Sequence, residues 1–246
     1  MTIKKIFILC MTSVIGIALC ACSGKKEMKK VSELAYDRAD STNLIYVLEN
    51  GEYIPFLVLT DDYGGNTLLL RKEITGNNRR ISDYSAYYAK SEIDLYLNED
   101  YLGFLTELSQ YLSTTSVEIT CDDALGVSGL ETEAVERKVF LLSCNEVGIS
   151  DSVNIAPEGE LLEYFRNEEN RKAYVDGELS SWWLRTPNTY YLSCSYVIGD
   201  NNKIGFTNSY DLNGIRPAFC VDGDMKIELR SGIVADEMVY VFSFEN

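Results

Sequence analysis

The segment Ser181–Val221, SWWLRTPNTYYLSCSYVIGDNNKIGFTNSYDLNGIRPAFCV, decides how this chain is read. It holds both tryptophans, Trp182 and Trp183, and several short apolar runs separated by turn residues. Gly199-Asp200-Asn201-Asn202 and Asn208–Gly214 are turn compositions, because Gly, Asn and Asp tolerate the backbone angles that turns require. The pattern predicts strands at Trp182–Arg185, Tyr191–Ile198, Lys203–Phe206 and Ile215–Val221, a β-meander that closes a domain. An arginine stands near each end in a Pro-containing context, Arg185 in WWLRTP and Arg216 in GIRPAF.

Working outward, Asn43–Glu49 and Tyr53–Thr60 flank Asn50-Gly51, a strong hairpin signal. Thr67–Lys72 reads as a third strand. Two of these runs are continuously apolar, as in strands buried on both faces. Ser91-Glu92-Ile93-Asp94 reads as a capping box that opens a helix, with Ile93, Leu97, Tyr101, Phe104, Leu105, Leu108 and Leu112 at helical spacing. Thr115–Thr120 is a short strand, residues 121–136 a loop, and Arg137–Ser143 a buried strand. Pro157–Asn167 has the Pro and Glu of a helix start. Residues 225–230 and 233–243 complete the chain as two further strands. The fold class is therefore α+β: one domain over residues 43–246, with a mixed, mostly antiparallel sheet, about two helices and a C-terminal meander.

The N-terminus reads as a targeting segment. Lys4 and Lys5 precede Ile6–Leu19, an uncharged apolar run of 14 residues, short for a membrane span. Leu19-Cys20-Ala21-Cys22 resembles the bacterial lipobox, with Leu three places before the cysteine and a small residue just before it. The resemblance implies a signal peptide over residues 1–21, acylation of Cys22, and a membrane-anchored, extracytoplasmic protein. Residues 22–42 read as a polar tether. Its lysines, Lys25, Lys26, Lys29 and Lys30, lie where an anionic lipid surface would attract them. Cleavage removes two lysines and no acid, leaving 20 basic and 38 acidic residues and a net charge of −18.

Composition excludes several functions. The full chain carries −16 and would repel nucleic-acid phosphates. It has no histidine, which rules out Ser-His-Asp and Cys-His catalysis and His-ligated metals. No metal, cofactor or catalytic residue is predicted. Acidic and amide turns such as Asp61-Asp62 and Asp222-Gly223-Asp224 lack the spacing of a calcium loop. Beyond the leader and Cys22, four cysteines remain: Cys121, Cys144, Cys194 and Cys220. They permit two disulfides in three pairings. Cys194 and Cys220 read as strands of one sheet, so they form the plausible pair; buried free thiols are the alternative, favoured by a domain of this size.

The residues with binding chemistry cluster in the opening segment. Arg185 and Arg216 offer planar forks for a carboxylate. Alternatively, each locks the meander by bonding loop carbonyls or an acid, and the coupling of Arg to Pro favours that architecture. Trp182 and Trp183, as strand neighbours, point to opposite faces, so one is expected in the core and the other either exposed or covering the sheet edge. With Tyr190, Tyr191, Tyr196 and Tyr210 it would form a stacking platform for a sugar or peptide, unless the rings fill the core.

With these residues in view, the chain resembles a family of bacterial surface and lipoprotein domains of unknown function. Trp183-Leu184-Arg185-Thr186-Pro187 and Gly214-Ile215-Arg216-Pro217-Ala218 carry the resemblance, supported by Ile54–Leu59, Leu68–Lys72, Ser91–Asp94, Tyr96–Asn98 and Val139–Ser143. More distantly, the Trp strand, meander and G-x-R element resemble the C-type-lectin-like fold, including sulfatase-modifying-factor-like domains. Their cysteine–copper and His–iron sites have no counterpart here. The expected function is an extracellular binding module for a glycan, peptide or protein. A carboxylate-based cell-wall or glycan hydrolase and a structural envelope component are the alternatives.

Overall fold

The computed structural model describes residues 28–38, 42–150 and 153–244. Cys22 and the signal segment lie outside the described residues. The strands are β1 (Lys29–Lys30), β2 (Leu44–Glu49), β3 (Glu52–Tyr63), β4 (Asn66–Arg71), β5 (Thr115–Thr120), β6 (Thr132–Arg137), β7 (Val139–Phe140), β8 (Tyr174–Val175), β9 (Glu178–Leu179), β10 (Trp182–Pro187), β11 (Cys194–Ile198), β12 (Ile204–Asn208), β13 (Ala218–Val221), β14 (Lys226–Val234) and β15 (Glu237–Phe242). The fold is mostly β, with short helical turns.

Eight strands form the main sheet in the order β1-β14-β15-β2-β3-β4-β13-β7. Asn50 and Gly51 both take positive φ, 50° and 85°, so the β2–β3 hairpin turns where its Asn-Gly signal lies. The β15–β2 junction is parallel and holds a single register pair, Val241 opposite Tyr46. The other pairings are antiparallel. Val58, Leu68, Leu69, Leu70 and Phe219 are fully buried, as the continuous apolar runs require.

Ser91 caps α1 (Glu92–Tyr96) by accepting from the Asp94 N–H. Asp94 does not reach back; its carboxylate pairs with Arg137 at 2.7 Å. The helical path continues as a π turn (Leu97–Tyr101) and α2 (Leu102–Phe104), then breaks at Leu105. There Thr106 takes φ 47°, a backbone a β-branched residue seldom adopts.

The opening segment does not form one meander. β10, β11 and β12 make a separate three-stranded sheet, while β13 crosses into the main sheet between β4 and β7. Gly214–Pro217 joins the two. Gly214 exchanges backbone bonds with Ser181 and Trp183, and the carbonyls of Ile215 and Pro217 accept from Thr75 and Arg71. Cys194 and Cys220 thus lie in different sheets, and all four described cysteines are free thiols. Reading them on one sheet failed because the crossover hides in an ordinary turn composition.

Three other expectations change. Residues 121–136 are not all loop: β6 pairs with β5 across six positions, and its TEAVER run, with Ala134 and Val135 adjacent between polar residues, carries no period-two alternation that would have marked it as a strand. Pro157–Asn167 is not an α-helix; one 3₁₀ turn forms within it, Glu163–Arg166, and a second, Glu168–Arg171, follows it. The reach 28–38 is folded rather than tether. β1 pairs with β14, Val31, Leu34 and Ala35 are buried in the core, and Val31–Leu34 and Tyr36–Arg38 form 3₁₀ turns. Lys30 pairs with Asp224 at 2.7 Å and Lys29 lies over the Tyr240 ring, so both are engaged by the fold.

Candidate functional site

Arg185 and Arg216 are both buried. Arg185 donates to Glu146 through Nη1 and Nη2 at 2.7 and 2.9 Å, and to the carbonyls of Glu118 and Leu141 at 2.9 and 2.8 Å. It stands in a stretch of β10 whose register against β11 shifts between Trp183 and Pro187; such irregularity re-aims a side chain. Glu158 lies 3.7 Å from its Nε. The two carboxylates are saturated. Glu146 also accepts from the Tyr63 hydroxyl and the Ser143 N–H. Glu158 accepts from the Thr120 N–H, the Thr120 hydroxyl and the Thr186 hydroxyl.

Burial alone would lower the Arg185 pKa, but Glu146 and the Tyr63 phenol hold it above the usual arginine value. Burial pushes the Glu158 carboxyl up, against the pull of Arg185 and its hydroxyl partners. With side chains fully enclosed, this is a structural lock and not a substrate-facing carboxylate pair.

Arg216 has no carboxylate within ion-pair distance among the described residues. It donates to the carbonyls of Arg71 and Lys72 at 3.2 and 2.9 Å and lies 4.8 Å from the Trp182 ring. Burial lowers its pKa to about 10. Trp182 and Trp183 are both core, so neither is the available ring the alternation led us to expect. Both faces of β10 are covered. Each indole has a carbonyl partner, Arg171 for Trp182 at 2.9 Å and Arg79 for Trp183 at 2.6 Å.

The exposed candidates are tyrosines. Tyr190 is 59% and Tyr210 51% exposed. Tyr190 belongs to a row of rings: Tyr190–Tyr191 at 4.9 Å, Tyr191–Phe206 at 5.5 Å and Phe206–Tyr196 at 5.9 Å between centroids. Buried Tyr196 anchors the row, and its hydroxyl accepts from the Asn188 amide at 3.1 Å. Phe206 stands on β12, which pairs with β11 alone and is the sheet's edge. The sequence had named Tyr190, Tyr191, Tyr196 and Tyr210; it missed Phe206, since its place beside Tyr191 depends on the β11–β12 register.

Tyr210 and Leu212 line a pocket of about 410 Å³ with Asn78, Arg79, Arg80 and Glu92. Loop bonds draw these segments together: Arg79 and Asn213 exchange backbone hydrogen bonds, and Ser209 links Ser82 to Ser193. Elsewhere, an apolar groove of about 560 Å³ opens at the β2–β15 seam, between Leu48 and Phe244. Among the described residues no three His, Cys, Asp or Glu side chains gather as a metal site.

A family model described as a domain of unknown function, DUF6273, matches residues 64–223. No curated protein and no solved structure matches the chain. The matched span takes in both arginine motifs, the buried Arg185 lock, the ring row and the Arg79–Tyr210 pocket. The chain therefore belongs to the DUF6273 family of domains of unknown function.

Proposed function

We propose that this protein is a lipid-anchored, extracytoplasmic binding module without catalytic chemistry, which presents a ligand surface on the loop end of its three-stranded sheet. The single observation that carries the binding role is the exposed row Tyr190–Tyr191–Phe206, held rigid by buried Tyr196. Aromatic faces at a sheet edge take up apolar faces of sugars and side chains at low entropic cost. The anchor rests on the lipobox-like Leu19–Cys22 and the basic-then-apolar leader. The resemblance to C-type-lectin-like domains belongs to the same proposal and carries no function of its own.

Two measurements test it. Cys22→Ala should move the chain from the membrane to the soluble fraction; retention would rule out the anchor. The double variant Tyr191→Ala with Phe206→Ala should keep the fold and lose binding to glycan, peptidoglycan and peptide panels by about tenfold or more, the scale of one to two lost aromatic contacts. Unchanged binding would remove the row from the site.

A further inference from the structure

Arg79 is an anomaly of charge. The chain has 38 acidic and 22 basic residues, so carboxylate partners abound. Among the described residues every arginine except Arg79 and Arg216 has an Asp or Glu within 4.0 Å. Arg216 is sealed in the core. Arg79 instead lines the open pocket that Tyr210 and Leu212 wall.

Its position is fixed. Its guanidinium carbon sits 3.3 Å from the Tyr96 ring centroid, and its backbone is held by Asn213 on both N–H and carbonyl. The same carbonyl accepts from the Trp183 indole. Its Nε is buried with no acceptor. Arg80 beside it is already taken by Asp83 at 2.5 Å and Glu92 at 3.0 Å. The pocket thus offers one rigid, unclaimed guanidinium next to an exposed phenol ring and an exposed aliphatic side chain, Leu212 being 65% exposed.

The geometry points to a site for a small organic carboxylate: its carboxylate on Arg79, its ring or apolar body against Tyr210 and Leu212. A guanidinium fork fits a planar carboxylate in two parallel bonds. Glu92 and Asp83 beside Arg80 disfavour a dianion such as phosphate, since like charges would face each other. This deepens the proposed function and rests on reading that loop end as ligand-facing. A uronic-acid sugar and a peptide C-terminus share this chemistry.

Calorimetric titration with methyl glucuronide and with N-acetylphenylalanine separates those sources, with methyl glucoside and N-acetylphenylalanine amide as neutral controls. At least one carboxylate should saturate while its neutral counterpart does not, and binding should weaken as salt is raised. Leu212→Glu, an exposed change that leaves the fold intact, should weaken it by about tenfold or more, and Arg79→Gln likewise. Failure of both carboxylates to saturate by about 10 mM, the weak end of specific binding, overturns the inference. Wild-type affinity in Leu212→Glu and Arg79→Gln does so too. Loss of panel binding in the Tyr191→Ala, Phe206→Ala protein with carboxylate binding retained supports both readings. Panel binding by the unaltered protein that the Tyr191→Ala, Phe206→Ala change abolishes, together with no carboxylate binding, sinks this inference alone.

Discussion

At the scale of single residues, Arg185 shows how a binding-type side chain becomes architecture. Its fork is spent on Glu146 and on carbonyls from β5 and the Leu141 strand exit, so it ties three segments at one point. Replacing it with Met would leave Glu146 and Glu158 buried without a cation. We expect Arg185→Met to cost about 3–5 kcal/mol in urea unfolding, the usual penalty for orphaning a buried charge. A loss below about 1 kcal/mol would mean that the network relaxes around the gap. The sequence showed that Arg185 was special; it did not show why. Glu146 and Glu158 are 39 and 27 positions upstream in chain regions with no motif of their own, and only folding brings them to it.

At the scale of elements, the Gly214–Pro217 crossover explains the glycine of the second arginine motif. A Cβ on Gly214 would meet the Ile74 Cγ2 at 2.3 Å and the Ser181 carbonyl at 2.9 Å, one of them immobile backbone. Gly214→Ala should therefore destabilise the protein by about 1–3 kcal/mol through overpacking at the joint between the two sheets. Thermal melts would report it, and an unchanged midpoint would refute the close contact. Elements with local signals were legible: the Asn-Gly hairpin, the Ser91 cap and the Thr115–Thr120 strand all form. The helix expected over Pro157–Asn167 was not, because the buried Glu158 is pulled into the Arg185 lock and its main chain follows.

At the scale of the molecule, the main sheet gathers both ends of the described chain. β1, β14 and β15 sit beside β2, and Val31, Leu34 and Ala35 close that side of the core. A truncation beginning at residue 43 should lose about 3–6 kcal/mol relative to one beginning at residue 28, from the lost burial of Val31 and Leu34 alone. Equal stability would show the N-terminal segment to be an ornament. Burial also raises the phenol pKa of Tyr63, Tyr88 and Tyr101. The folded state then holds protons that the unfolded chain releases above about pH 10, so stability must fall as pH rises past that value. Absorbance at 295 nm should show these phenols ionising together with unfolding; ionisation with the fold intact would contradict their enclosure.

What the sequence determined by itself was local or compositional. Turn chemistry and apolar periodicity placed most strands, the missing histidines removed whole reaction classes, and the Arg-Pro motifs picked out two arginines that prove buried. The tertiary structure decided everything that depends on which distant residues meet. It divided Ser181–Val221 between two sheets, enclosed both tryptophans, and gave Arg185 its acids. It also left Arg79, an unremarkable residue in the stretch NNRR, as the guanidinium that faces an open pocket. A residue's type fixes the bonds it can make, but its partners and its access to water follow from packing, and packing is a property of the whole chain.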